Sequence, residues 1–484
     1  MSLHFQLADR ESLESICELF RIVVADMRGR GLKQWEWGVY PSGMILEEDA
    51  ARGELYQMMQ DGRIIGTFAL AAEQEKQYAH LGWHFGTKPA TLHRLAIAPG
   101  FFGRGLARQA LAFAKEEALR LGYDSLRLDT SSENQRALKL FRGTMVREAG
   151  IICFDNPNIA YRCFEAPLTE QCPLLPVRMH PAFRHGDMTP WGGAGLRQAF
   201  GKEIPDERTG ESMEISAIPG LESVDDMGVP LSDLIARYGK PFTGEAKEFS
   251  LLLKLIATRD RLSVQVHPDD TYAKTREGKQ GKSEAWVILL AEEGADILYG
   301  VKPGVELPAL QAAVSAGKDI EPLLERVPVR AGDVFYIPSG MVHAIGDGIV
   351  LYEIQQSSDV TYRLWDYRRA NEKGIRRELH LEQAFAVINP GLPGQRTRLP
   401  DPEQEGLHPL LSVPAFALDC ACVNGALHLP SHPAGFRMFT ALAGLHLCWD
   451  GDMLALEAGE SALLPALCPP LRIKGVGRAL IARG

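Results

Sequence analysis

Three short segments carry side chains whose types and spacing suit a divalent metal. In RLSVQVHPDD, strand alternation puts Ser263, Gln265 and His267 on one face and Val264 and Val266 on the other, so Gln265 and His267 can reach one point. In GKSEAWVILL the same two-residue spacing brings Lys282 and Glu284 together. In GDVFYIPSGMVHAIG, the residues Gly332, Pro338 and Gly340 lead into His343. A single strand histidine reads as a satisfied core residue. A His, a Glu and a second His on three separate strands read differently: two imidazoles, a carboxylate and an amide oxygen, with water in an open position, make a catalytic Zn²⁺ site.

The third segment matches the second conserved motif of cupin barrels, and QVH with the later Glu resembles a variant of the first motif with Gln in place of one His. GIVLYEIQQSSDVTYRLWDYRR adds a strand on which Thr361, Arg363 and Trp365 are expected to share a face. After TPWGG and GESMEIS come RLSVQVHPDDTYA, GKSEAWVI, IPSGMVHAIG and EIQQSSDVTYRLWDY. In this order they resemble the mannose-6-phosphate isomerases of the short, bacterial-type class I, across about residues 170–484. The resemblance implies one Zn²⁺ per chain held by Gln265, His267, Glu284 and His343, with Lys282 and Arg363 as catalytic or substrate-binding cations for a small sugar phosphate. Aldose–ketose isomerisation moves a proton between C1 and C2 through a cis-enediol, which a divalent cation stabilises and a base must serve. The sequence leaves open whether Lys282 or metal-activated solvent is that base. Arg363, always charged and forked, suits the phosphate or the enediolate.

A second chemistry is written nearer the start. LHRLAI reads as a strand, PGFFGRGLARQALAFAKEEALRLG as a glycine-rich loop and a helix whose apolar face is Leu106, Ala110, Phe113 and Ala114, closed by Gly122. Backbone N–H groups at such a loop and helix start suit a pyrophosphate. With SLRLDT as the next strand and SSENQRALKLF as a further helix, roughly residues 3–165 resemble the GNAT acetyltransferase family. That implies acetyl-CoA as co-substrate, its pyrophosphate on the amides of Gly103, Arg104, Gly105, Leu106 and Ala107, its pantetheine arm along Leu95 and Ile97, and Asn134 at the start of the later helix. Two departures stand out. Phe102 replaces the Arg or Gln usual before the first loop glycine, and Phe141 stands where many members have a Tyr that protonates the leaving thiolate. Transfer to an acceptor is one reading; a non-catalytic acetyl-CoA-binding regulatory domain is another, and a metal-binding sugar-phosphate sensor without turnover is a third for the barrel. Trp35 and Trp37 in KQWEWGVYP line an acceptor pocket or simply pack beside a loop.

These residues require a multidomain scaffold. A length of 484 residues suggests about three domains, and 45% apolar with 24% charged residues is a globular composition, which excludes disorder and collagen-like structure. The proline-rich stretch EAPLTEQCPLLPVRMHPAFRHGDMTPWGG marks a join. The expected plan is an α/β GNAT fold over 1–167, a mainly β cupin (jelly-roll) metalloenzyme over 168–399 and a C-terminal β domain, degenerate and cupin-like, over 400–484. In that last region Asp450-Gly451 is a hairpin turn signal, only His446 lies in the central strands so that no second metal is expected, and Cys420 and Cys422 read as small core residues. Lys and Arg number 20 against 21 Asp and Glu up to residue 168, and 32 against 41 beyond it, so no basic surplus invites nucleic acid. Eight scattered cysteines without a CxxC pair fit a reducing cytoplasm, and no run approaches the roughly 18 apolar residues of a membrane span. The oligomeric state and the acetyl acceptor are not legible.

Overall fold

The computed structural model describes residues 3–245, 249–371, 373–450 and 452–484. They form two compact units, Met1–Leu175 with Asp450–Asp452, and Pro176–Trp449 with Met453–Gly484. Among the described residues no helix is long and apolar enough to cross a membrane.

The first unit contains seven strands: β1 (His4–Leu7), β2 (Leu55–Gln60), β3 (Arg63–Ala71), β4 (Pro89–Ile97), β5 (Ser125–Ser131), β6 (Arg147–Cys153) and β7 (Ala160–Pro167). They join in the order β1-β2-β3-β4-β5-β7-β6, antiparallel except between β4 and β5. Helix α1 (Leu13–Gly29) buries Ile16, Leu19, Phe20, Val23 and Met27 at three- and four-residue spacing. It is followed by α2 (Gly43–Ala51), α3 (Leu106–Arg120) and α4 (Gln135–Arg142). At the end of α3 Gly122 takes φ +88° and donates to Leu119, while Tyr123 donates to Ala118, the paired bonds of a Schellman cap.

The parallel pairing of β4 with β5 ends at Thr91 and Arg127, so beyond these residues the two strands part. On its other side β4 carries a bulge: Thr67 pairs with Ala96 but Ala69 with His93, and Arg94 within the bulge has φ +54°. Bulges of this kind re-aim side chains next to active sites.

The second unit supplies β8 (Val177–Met179), β9 (Ala182–Arg184), β10 (Glu211–Ile215), β11 (Leu251–Ala257), β12 (Val264–Val266), β13 (Glu284–Ala291) and β14 (Asp296–Val301). Next come β15 (Leu324–Pro328), β16 (Asp333–Ile337), β17 (His343–Ile345), β18 (Ile349–Gln356), β19 (Tyr362–Trp365) and β20 (Gln395–Arg398). The chain ends in β21 (Gly406–Ser412), β22 (Ala417–Leu429), β23 (Arg437–Ala441), β24 (Leu445–Trp449), β25 (Asp452–Leu456), β26 (Ser461–Leu464) and β27 (Leu471–Arg483). One sheet runs β20-β16-β13-β18-β11-β10-β9 and a second runs β15-β14-β17-β12-β19. Trp286, Ile288 and Phe335 of the first share a buried core with Ile297, Tyr299 and Ile345 of the second, so the sheets pack face to face as in a jelly roll.

A third sheet holds the C-terminal strands, and β8 joins it beside β26. That pairing ties the last 85 or so residues to the start of the second unit, which is why they form no separate body. The join between units falls after Leu175, because Leu175 donates to His84 and Gly86 to Pro173 within the first unit. Asp450 occupies a turn, and its partner in that signal, Gly451, lies outside the described residues. Cys420 and Cys422 are fully buried on β22, and all eight cysteines are free thiols.

Candidate functional sites

The metal-ligand candidates of the second unit converge from both jelly-roll sheets. Gln265 on β12 is the cross-strand partner of His343 on β17, while Glu284 opens β13 in the facing sheet. His267 follows β12, and its carbonyl accepts from Gly340, whose φ of +89° lets the motif loop close over it. Nε2 of His267 lies 3.4 Å from one oxygen of Glu284, and Nε2 of His343 lies 3.3 Å from the other. All three side chains are buried, their donor atoms within 4.8 Å of one another.

Each imidazole is held by a second bond. Nδ1 of His267 donates to the Val360 carbonyl at 3.0 Å, and Nδ1 of His343 to the Met341 carbonyl at 2.9 Å. A carbonyl can only accept, so both Nδ1 atoms carry the proton and both Nε2 lone pairs face Glu284. Trp286 meets the His343 ring edge to face at 5.5 Å. The Gln265 amide lies 3.4 Å from His343 Nε2, and a half-turn of it presents its oxygen to the same point.

The charges agree with that geometry. Burial, and then the Lys282 ammonium, hold the His267 pKa down at about 3, and burial lowers His343 too, so both imidazoles are neutral. Burial pushes Glu284 up, but the Lys282 charge outweighs it and holds the carboxyl well below its ordinary range. Both carboxylate oxygens are sealed from solvent without a hydrogen bond of normal geometry. Two neutral imidazoles and an under-satisfied buried carboxylate fit a divalent cation.

Lys282 lies inside this cluster, its Nζ 2.9 Å from His267 Nε2 and 2.8 Å from Glu284. Arg363 pairs across the ladder with Gln265 but engages other groups: Nε donates to Ser263 Oγ at 3.3 Å and Nη1 to the Glu378 carbonyl at 2.7 Å. Trp365 departs from expectation. The β12–β19 register shifts between Val264 and Gln265, placing Trp365 opposite Val264, and Trp365 packs in the apolar core with Val264, Val266 and Leu364 rather than beside Arg363. Periodicity alone does not reveal a bulge.

Sequence reasoning passed over a buried charge track beside this centre. Lys254 lies 3.1 Å from Glu353 and 3.6 Å from Glu211, and Trp286 Nε1 donates to Glu353 at 3.0 Å. Burial, then the Glu284 charge, raise the Glu353 pKa. The signal was a lone charge within an apolar strand, Lys254 in LLLKLIA and Glu353 in IVLYEIQQ.

In the first unit, the parting of β4 and β5 opens a cleft of about 730 Å³. Leu95, Ile97, Gly103, Gly105, Leu106, Ala107 and Asn134 line it. Gly103 and Gly105 have φ +80° and +74° with open space where a Cβ would stand. From Gly103 to Ala107 no backbone N–H donates to another group among the described residues. Asn134 caps α4, accepting from Ala137 at 3.2 Å. Arg104 is the exception: its side chain turns out of the lining, over the Phe101 ring at 4.9 Å, leaving only its amide in the loop. Phe102 is flanked by two cations, with the Arg30 and Arg136 guanidinium carbons 5.5 and 4.5 Å from its ring centre. Trp35 lines the cleft, whereas Trp37 stacks on Phe20 outside it.

Comparisons with known proteins agree with this division. Residues 18–144 match the family model for the acetyltransferase (GNAT) family, and residues 179–285 that for the catalytic domain of type I phosphomannose isomerase. The mannose-6-phosphate isomerase of Streptococcus mutans is 41% identical over 286 residues, which are 57% of this chain and 88% of that protein. The mannose-6-phosphate isomerase ManA of Bacillus subtilis is 41% identical over 307 residues, 60% of this chain and 94% of that one. The crystal structure of a Bacillus subtilis mannose 6-phosphate isomerase superposes with a TM-score of 0.57 at 30% identity, covering 64% of this chain and all of that one. The chain thus belongs to the type I mannose-6-phosphate isomerase family and carries a GNAT acetyltransferase domain on its N-terminal side.

Proposed function

We propose that the second unit interconverts mannose 6-phosphate and fructose 6-phosphate through a cis-enediol at a zinc centre held by Gln265, His267, Glu284 and His343, and that the first unit binds acetyl-CoA and transfers its acetyl group. The observation that carries the isomerase reading is the aiming of two neutral imidazole nitrogens at the sealed carboxylate of Glu284, with both Nδ1 atoms tied to backbone carbonyls. Zinc, when bound, polarises the sugar oxygens and offsets the negative charge of the enediolate.

The remaining work falls to side chains. Lys282, beside the ligand atoms, moves the proton between C1 and C2 or steadies the oxygen that gains charge. Arg363, one strand away on the far side of Gln265, is spaced to take the phosphate while the carbon end lies at the ligands. Burial of the cluster excludes water, which strengthens each of these interactions.

For the first unit, the free amides of Gly103 to Ala107 at the start of α3 support pyrophosphate binding, and the unpaired edge of β4 past Thr91 supports an extended pantetheine arm. The regulatory alternative has one specific support, Phe141: it lines the cleft, packs on Phe164 and has no proton to give.

Metal analysis with a coupled isomerase assay tests the first half. Turnover lost on chelation and restored by zinc is expected; a zinc-loaded protein without turnover overturns it. Calorimetric titration with acetyl-CoA tests the second half, and the absence of saturable binding overturns that.

A further inference from the structure

The cleft of the first unit is electrically polarised along its length. At the glycine-loop end stand Arg30, Arg108 and Arg136. At the other end, where β4 and β5 part, stand Glu75, Asp129 and Asp155, each close enough to Glu75 for their charges to be felt. The cation there among the described residues, Arg94, is engaged elsewhere: it donates to the buried Asp49 at 2.5 Å and to the Tyr40 hydroxyl at 3.0 Å. His93, also in the wall, is kept neutral, its pKa held down at about 3 by burial and by Arg94. Asp129 accepts a hydrogen bond from Tyr78 at 2.7 Å, and Nδ1 of the neutral His93 lies 4.0 Å from Glu75. The charge of Arg94 acts on both carboxylates, but with Asp49, Glu75, Asp129 and Asp155 around it the acidic groups outnumber that cation.

This end is also where the backbone is strained. Arg94 holds a left-handed φ of +54° in the β4 bulge, a conformation that persists only where its surroundings fix it and that clusters at active sites. A cleft wall, parted strands, a strained bulge and an excess of carboxylates over one shared cation occur together at this end of the cleft. We infer that the inner end of the cleft is an acceptor site for a small cationic primary amine bearing no phosphate or carboxylate, with Glu75 and Asp129 as the groups that bind it and take its proton. The inference rests on the acetyl-CoA reading above and adds the acceptor to it.

The ammonium gives one proton to the Glu75 carboxylate, which later releases it to solvent. The freed nitrogen lone pair forms the C–N bond at the thioester carbonyl carbon, and the C–S bond breaks with its electron pair on sulfur. The second nitrogen proton ends on that sulfur as the thiol. Burial raises the pKa of Glu75, and it raises that of Asp129 to about 6, a direction that suits carboxylates accepting a proton. An anionic acceptor meets like charge here. A sugar phosphate amine is the acceptor one would guess from the neighbouring isomerase, and the wall disfavours it.

The test uses the full chain. Acetyl-CoA binding is measured first by calorimetry; then thiol release is followed with spermidine, kanamycin and 1,4-diaminobutane against glucosamine 6-phosphate. Expected are release with the cationic amines, none with glucosamine 6-phosphate, and a kcat/KM about 10²-fold lower in Glu75→Gln. Glu75→Asp should recover part of that loss, the acid limb of the pH profile should flatten in Glu75→Gln, and acetyl-CoA affinity should stay unchanged in both. A wild-type chain that binds acetyl-CoA yet prefers glucosamine 6-phosphate, or releases no thiol with any cationic amine, overturns the acceptor assignment alone. The same holds if kcat/KM is unchanged in both Glu75→Gln and Asp129→Asn. A wild-type chain that does not bind acetyl-CoA overturns the reading beneath it.

Discussion

The proposed metal centre and the cleft solve the problem of positioning in opposite ways. At the centre the work falls to side chains: Gln265, Glu284 and His343 come from strands of two facing sheets and His267 from the residue after β12, and each imidazole is locked by a bond from its far nitrogen. In the cleft the main groups are backbone, five N–H groups of a glycine loop and the open edge of β4. A side-chain site fails when one atom is removed. A backbone site tolerates changes of identity and fails when its conformation is lost.

The largest effect expected from this contrast is that of His343→Ala. Outer partners of a metal ligand alone are worth about 10–100-fold in affinity or activity, so loss of the ligand itself should exceed 100-fold in isomerase turnover and empty the site by metal analysis. Acetyl-CoA binding should be unaffected; if both fell together, the two units would not be independent. Lys282→Met comes next. A proton-moving group contributes about 10²–10⁴-fold, so kcat should fall by that order while bound metal stays stoichiometric. Loss of the metal along with kcat would instead show that Lys282 acts by holding His267 and Glu284 in place.

The cleft should answer differently. Gly105 stands at φ +74° with open space around it, so Gly105→Val leaves packing intact and strains only the backbone. A strain of about 1–2 kcal/mol at that residue corresponds to about a 10-fold weaker acetyl-CoA titration. Arg104→Ala, one residue away with its side chain outside the lining, should change it less than about 2-fold. Equal losses at the two positions would mean that the loop binds through side chains after all.

The same contrast explains what the sequence disclosed. Residue types at fixed spacing are local facts, so the clustering of Gln265, His267, Glu284 and His343, proposed as ligands, was readable, as was the glycine loop before α3. Register is not local: the slip that turns Trp365 into the core depends on how β12 meets β19. The tie of the C-terminal strands to β8 spans most of the second unit and leaves no mark on either segment. The acidic inner end of the cleft was hidden for a similar reason. Glu75 comes from the connection before β4 and Asp129 from β5, and only the sheet brings them together.

The smallest effect concerns the stability of the first unit, where two buried groups oppose each other in acid. His93 titrates near 6.5 when unfolded and about 3 in the fold, so the unfolded chain binds the proton first and stability is lost as pH falls from about 6.5 towards 3. Asp129 has the opposite sign. Its folded pKa of about 6 lies above the unfolded 3.8, so the folded chain binds the proton first and stability is gained as pH falls from about 6 to 3.8. Each shift is worth at most about 1.4 kcal/mol per pH unit, and between pH 6 and 4 the two slopes cancel. The unfolding transition that acetyl-CoA raises should therefore hold a nearly constant Tm over that window in the wild type. In Asp129→Asn it should drop on acidification by a few degrees, because His93 acts unopposed, and in His93→Gln it should rise. Parallel curves for the three proteins would show that neither group is buried as strongly as the wall of the cleft requires.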